Sequence, residues 1–118
     1  MRIGFKMNAT RNNSLEQLAQ DLGIEDTIEV LEYALPRIVE RQKKIQQHLQ
    51  AKHWEKASIC AHQTISSVSL YGSDELERLL NKIKDHNESR RVELQEQLSK
   101  EFNNIIEAIQ QWLSIHRQ

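Results

Sequence analysis

The sequence predicts an all-α protein: an antiparallel up-down four-helix bundle with a short N-terminal cap helix. Three observations lead there. The 118 residues include only three glycines and one proline, too few turn formers for a sheet protein. Apolar residues recur at gaps of three, four and seven, the helical period. The stretches between periodic segments are short, and short connections make antiparallel neighbours.

The elements follow in order. Residues 1–13, "MRIGFKMNATRNN", are polar and aperiodic, so a flexible arm is expected there and the bundle occupies residues 14–118. Asn13 or Ser14 can cap a brief amphipathic helix that Gly23 stops. From Asp26, residues Ile28, Leu31, Leu35, Ile38, Ile45 and Leu49 share one helical face, carrying a second helix to about Lys52. Pro36 lies inside it and should kink or break it. A third helix runs from His53 or Trp54 to Leu70 or Tyr71, and Gly72 ends it. Ser73 then caps a fourth, with Asp74 and Glu75 in the first turn, where negative charge is favourable. Its stripe is Leu76, Leu79, Leu80 and Ile83. "DHNES" reads as a polar turn. The last helix carries Leu94, Leu98, Phe102, Ile105, Ile109 and Trp112. Trp54, Phe102 and Trp112 are read as core.

Composition excludes several function classes. Sixteen basic residues stand against 17 acidic ones, a net charge of −1, which gives no long-range pull on a polyanion. Mean hydropathy is −0.69, and no run approaches the roughly 20 apolar residues of a membrane span. The first residues lack the apolar core of a signal peptide. Cys60 is the single cysteine, so an internal disulfide and a cysteine zinc cluster are both excluded. A cytoplasmic protein is expected, with no membrane or nucleic-acid partner.

One stretch is unusual: "CAHQTISSVSLYG", residues 60–72, surrounds one histidine with small side chains. At 100° per residue, Trp54, Ala57, Ile65 and Val68 fall within about 40° of Ala61, with Thr64 and Tyr71 at one margin. That is the expected buried stripe. His62 sits about 100° from its centre and faces out. Ser58, Ser66 and Ser69 share its face, and Ile59 and Leu70 lie further round. The face is cleared to hydroxyls, so a bulky partner can approach the ring. A neutral imidazole nitrogen is a competent nucleophile.

The stretch "HWEKASICAHQTISSVSLYG" resembles the central helix of histidine phosphotransfer (HPt) domains. In that family a Trp-Glu pair often opens the helix and an Ala-His pair follows, the histidine eight positions after the tryptophan. Trp54-Glu55 and Ala61-His62 stand at that spacing. A small residue five positions after the histidine and a glycine ten after are matched by Ser67 and Gly72. A proline in the preceding helix is matched by Pro36 in "ALPRIVERQ". The resemblance spans roughly residues 14–115, and its specific part is 54–80. Two positions depart: Ile65 stands where the family usually has lysine, and Ser66 where it usually has glycine.

The resemblance implies that His62 accepts a phosphoryl group from the aspartyl phosphate of one response-regulator receiver domain and passes it to another. A hybrid sensor kinase would stand upstream. The receiver supplies Mg²⁺ and most catalytic groups, so this chain needs no cofactor and is a carrier rather than an enzyme. Ser66 or Gln63 would orient the phosphoryl oxygens, and Ser58, Ile59, Ser69 and Leu70 would dock the receiver. With Met1 at its start and no kinase segment, the chain would be a stand-alone carrier, and its free docking face favours a monomer. This reading requires an exposed His62 and uncovered Ile59 and Leu70. The alternative is a degenerate HPt fold that binds receivers or other proteins without carrying phosphate; the missing lysine argues for it.

Other readings are weaker. "LAQDLGIEDTIEVLEYAL" looks like a helix-turn-helix, but Glu25, Asp26, Glu29 and Glu32 on its second helix would repel phosphates. No histidine follows a glutamate by three, so the di-iron bundle signature is absent. Cys60 and His62 point to opposite sides of their helix and form no dyad.

Overall fold

A computed structural model of the chain describes residues 6–68 and 73–117, with side chains from residue 14 onward. Most of the described residues are helical, and none lies in a strand. They form α1 (Lys6–Leu22), α2 (Ile24–Gln50), α3 (Trp54–Val68), α4 (Asp74–Ile83), α5 (His86–Ser89) and α6 (Val92–His116). Helix α2 packs on α3 and α6, α3 on α4, and α4 on α6, which closes a ring of contacts around one core. Helix α1 lies against α2 and α6, and α5 against α3, α4 and α6.

The core is aliphatic. Leu31, Ile45, Leu76, Leu80, Ile83 and Ile109 are fully buried. All six apolar positions expected along α6 are buried, as are all four along α4. On α2, Leu31, Ile38, Ile45 and Leu49 are buried, while Ile28 and Leu35 are half-buried and pack against the core. Trp54 is also only half-buried, with the Arg90 guanidinium 5.6 Å from its ring centroid. It flanks the core that Phe102 and Trp112 enter.

The α1–α2 corner depends on Gly23, whose φ of 89° and ψ of 158° lie in a region essentially reserved for glycine. Its amide donates to the Ala19 carbonyl and its carbonyl accepts from the Thr27 amide. The Thr27 hydroxyl also donates to the Gly23 carbonyl at 2.7 Å, so this polar side chain is buried with its donor satisfied.

Three boundaries differ from the sequence reading. Helix α1 begins at Lys6, not at Asn13 or Ser14, so residues 6–13 of the expected arm are helical; residues 1–5 lie outside the described residues. No glycine or proline interrupts 6–22, and each residue added to a packed helix gains a hydrogen bond once the first turn exists. Helix α2 starts at Ile24, directly after the glycine, rather than near Asp26. Pro36 does not break the helix, which runs through it to Gln50; the ring removes one amide donor to the Glu32 carbonyl. The "DHNES" turn is a one-turn helix, because Asp85 accepts the Asn87 and Glu88 amides and caps it. The expected end of α3 around Leu70, Tyr71 and Gly72 lies outside the described residues.

Candidate functional site

Helix α3 carries the candidate site. Its buried side is Ala57, Cys60, Ala61, Thr64 and Val68. The centre of that stripe is about 40° from Ala61, on the side away from His62. The displacement has a local cause: the Thr64 hydroxyl donates to the Cys60 carbonyl at 2.7 Å, so threonine enters the core without an unmet polar group. Ile65 is correspondingly half-buried and packs against the core.

His62 therefore stands about 140° from the buried centre and is exposed. Gln63, Ser66 and Ile59 are exposed with it, Ile59 at 52%. No helix among the described residues covers them. Ser69 and Leu70 fall outside the described residues.

The remaining site residues are less free than a helical wheel suggests. Ser58 is half-buried and its hydroxyl donates to the Lys84 carbonyl at 3.0 Å. It ties α3 to the end of α4. Ser66 Oγ donates to the Gln63 carbonyl at 3.0 Å, one turn back. The Gln63 side-chain carbonyl accepts from Arg41 Nη1 of α2 at 3.1 Å. That contact brings a cation to the α2 flank of the exposed face.

Two features escaped the sequence reading. Arg41 and Lys84 approach α3 from opposite neighbours, a placement that no spacing within α3 encodes. The second is an apolar groove of about 780 Å³ between α2 and α3. Val30, Ala34, Ile38, Val68 and Phe102 line it, with Asp26 and Glu29 towards one end and Arg37 and Arg41 towards the other. The Arg37 guanidinium stacks 3.5 Å from the Tyr33 ring centroid at its edge. Tyr33, Arg37 and Arg41 recur at intervals of four, and that was the legible sign. The wall from α3 is Thr64, Ser67 and Val68; His62 is not part of it.

Among the described residues no group of three or more His, Cys, Asp or Glu could hold a metal ion. No described helix is long and apolar enough to cross a membrane. No protein-family model matches the chain, and no curated protein or solved structure matches it.

Proposed function

We propose that the chain is a histidine phosphocarrier of the HPt type, a four-helix bundle with a cap helix, in which His62 takes a phosphoryl group from a receiver aspartate and gives it to another. The observation that carries this reading is the exposed His62 on a helix whose opposite side is fully packed. The Trp54–Gly72 frame of HPt domains, quoted above, supports it. So does the closed ring of α2, α3, α4 and α6 contacts.

The step balances without a base on this chain. The unprotonated nitrogen of the neutral ring attacks phosphorus, and a P–N bond forms as the P–O bond to aspartate breaks. The aspartate leaves as a carboxylate with the electron pair, and the other ring nitrogen keeps its proton. Positioning and charge neutralisation supply the rate, and the receiver brings Mg²⁺. A rigid helix holding an exposed ring meets the carrier's side of that requirement.

One observation favours the second reading, an adaptor that binds receivers without phosphate. Ile65 holds a half-buried packing position where the family's lysine would stand. A single experiment separates the two. A receiver domain labelled on its aspartate is mixed with the chain and with His62→Ala, and label is followed by gel. Acid-labile label on the wild type and none on His62→Ala is the expected result. Receiver binding without label on either protein would establish the adaptor.

A further inference from the structure

A phosphoryl group on His62 adds nearly two negative charges to an exposed helix face. Such a group is held by a cation or by donors already in place. The usual lysine position of α3 is spent on packing by Ile65. The Arg41 guanidinium reaches α3 from α2, the Lys84 backbone meets α3 from the end of α4, and elementary geometry ranks the two residues.

Arg41 reaches α3 at Gln63, about 100° round the helix from His62. At the radius of helical side chains that separation is about 8 Å, and the guanidinium is already engaged by the Gln63 side chain. Lys84 reaches α3 at Ser58. Its carbonyl accepts the Ser58 hydroxyl at 3.0 Å, which fixes the Lys84 backbone against α3. Ser58 and His62 are four residues apart, on one face and about 6 Å from each other. A helical side chain covers the turn N-terminal to its own Cα, so the patch occupied by His62 lies over Ser58. The lysine's flexible four-carbon stem starts at that same turn, and the Lys84 side chain is exposed.

We propose that Lys84, anchored beside α3 by the Ser58 hydroxyl, is the cation that holds the phosphoryl group of His62. This rests on the phosphocarrier reading above. Two surrounding features favour it. Lys84 is the C-cap of α4, where helix carbonyls leave partial negative charge that would repel a phosphoryl group unless a cation offsets it. Asp85, the nearest acid in sequence, turns its carboxylate to the Asn87 and Glu88 amides and so does not compete for the lysine. Glu55 shares the His62 face but lies two turns below, roughly 10 Å away.

The test uses the full chain, a receiver domain charged on its aspartate with Mg²⁺ present, and the variants Lys84→Ala and Lys84→Arg. Two quantities are read: the initial rate of label transfer, and the half-life of the phosphohistidine after the receiver is removed. Each is measured at low and at high salt. Lys84→Ala is expected to slow transfer about tenfold at low salt, the effect of one unscreened charge at close range. Lys84→Arg should retain most of the rate, and high salt should shrink the gap. Wild-type rates in Lys84→Ala, or an equal loss in Lys84→Arg, would overturn the assignment while leaving His62 as the carrier. A wild-type chain that binds the receiver and takes no label would end both proposals. The two failures are therefore distinguishable.

Discussion

Lys52 is the one described non-glycine residue with a positive φ, 61°. It occupies the position after the Ala51 cap of α2, where the Lys52 amide donates to the Leu49 carbonyl and the His53 amide to the His48 carbonyl. This is the Schellman arrangement, which favours glycine. Lys52→Gly should therefore stabilise the fold by about 1 kcal/mol, a rise of about 4 °C in Tm. Thermal unfolding measures it, and an unchanged or lower Tm would contradict the strain. His48, one turn earlier, has its pKa lowered from 6.5: burial disfavours the charged ring, and Lys56, His53 and Lys44 add like charge. The unfolded chain then binds the proton more readily than the folded one. The neutral ring's contribution is complete above about pH 6.5 and is lost as pH falls through the lowered value. His48→Gln should flatten the decline of stability on that acid side, as read from denaturant melts. An undiminished decline would show that His48 does not cause it. The same scale explains the error in the wheel of α3. Apolar character centred it on Ala61 and left Thr64 at the margin, whereas Thr64 and Cys60 are small enough to be buried once the threonine hydroxyl finds a carbonyl.

Among elements, the connection of α4 to α6 is the most specific. Ser73 caps α4 by accepting the Leu76 amide at 3.1 Å, and its own hydroxyl donates to the buried Glu101 carboxylate at 2.6 Å. Ser73→Ala removes both bonds. We expect a loss of about 2–4 kcal/mol, from one cap and one hydrogen bond to a buried carboxylate. In a Glu101→Leu background the same substitution should cost only the cap, about 1 kcal/mol. Equal costs in the two backgrounds would mean that the Ser73–Glu101 bond contributes nothing. The cap was legible from "GSDE" alone, whereas its carboxylate partner, 28 positions on, was not. Local periodicity located the stripes of α2, α4 and α6 because each residue's neighbours in the helix decide its face. It missed the start of α1, which has no acidic residue in its first turn to announce it. It also read α5 as a turn, because four residues are too few to show a period.

For the whole molecule, the ring formed by α2, α3, α4 and α6 leaves the outward side of α3 uncovered among the described residues. The exposed His62 was readable from the wheel, because one helix decides which residues face out. The surroundings of the ring were not readable. Ser58 is spent on Lys84, Gln63 on Arg41 and Ile65 on the core, and each of those partners comes from a distant part of the chain or from its packing. The central claim is that this face carries phosphate on His62. The most direct measurement is ³¹P NMR of the chain after exposure to a phosphorylated receiver. The account predicts a phosphoramidate resonance that disappears on acidification and is missing from His62→Ala. A spectrum in which the receiver's acyl phosphate decays only to inorganic phosphate, identically with wild type and variant, would contradict it.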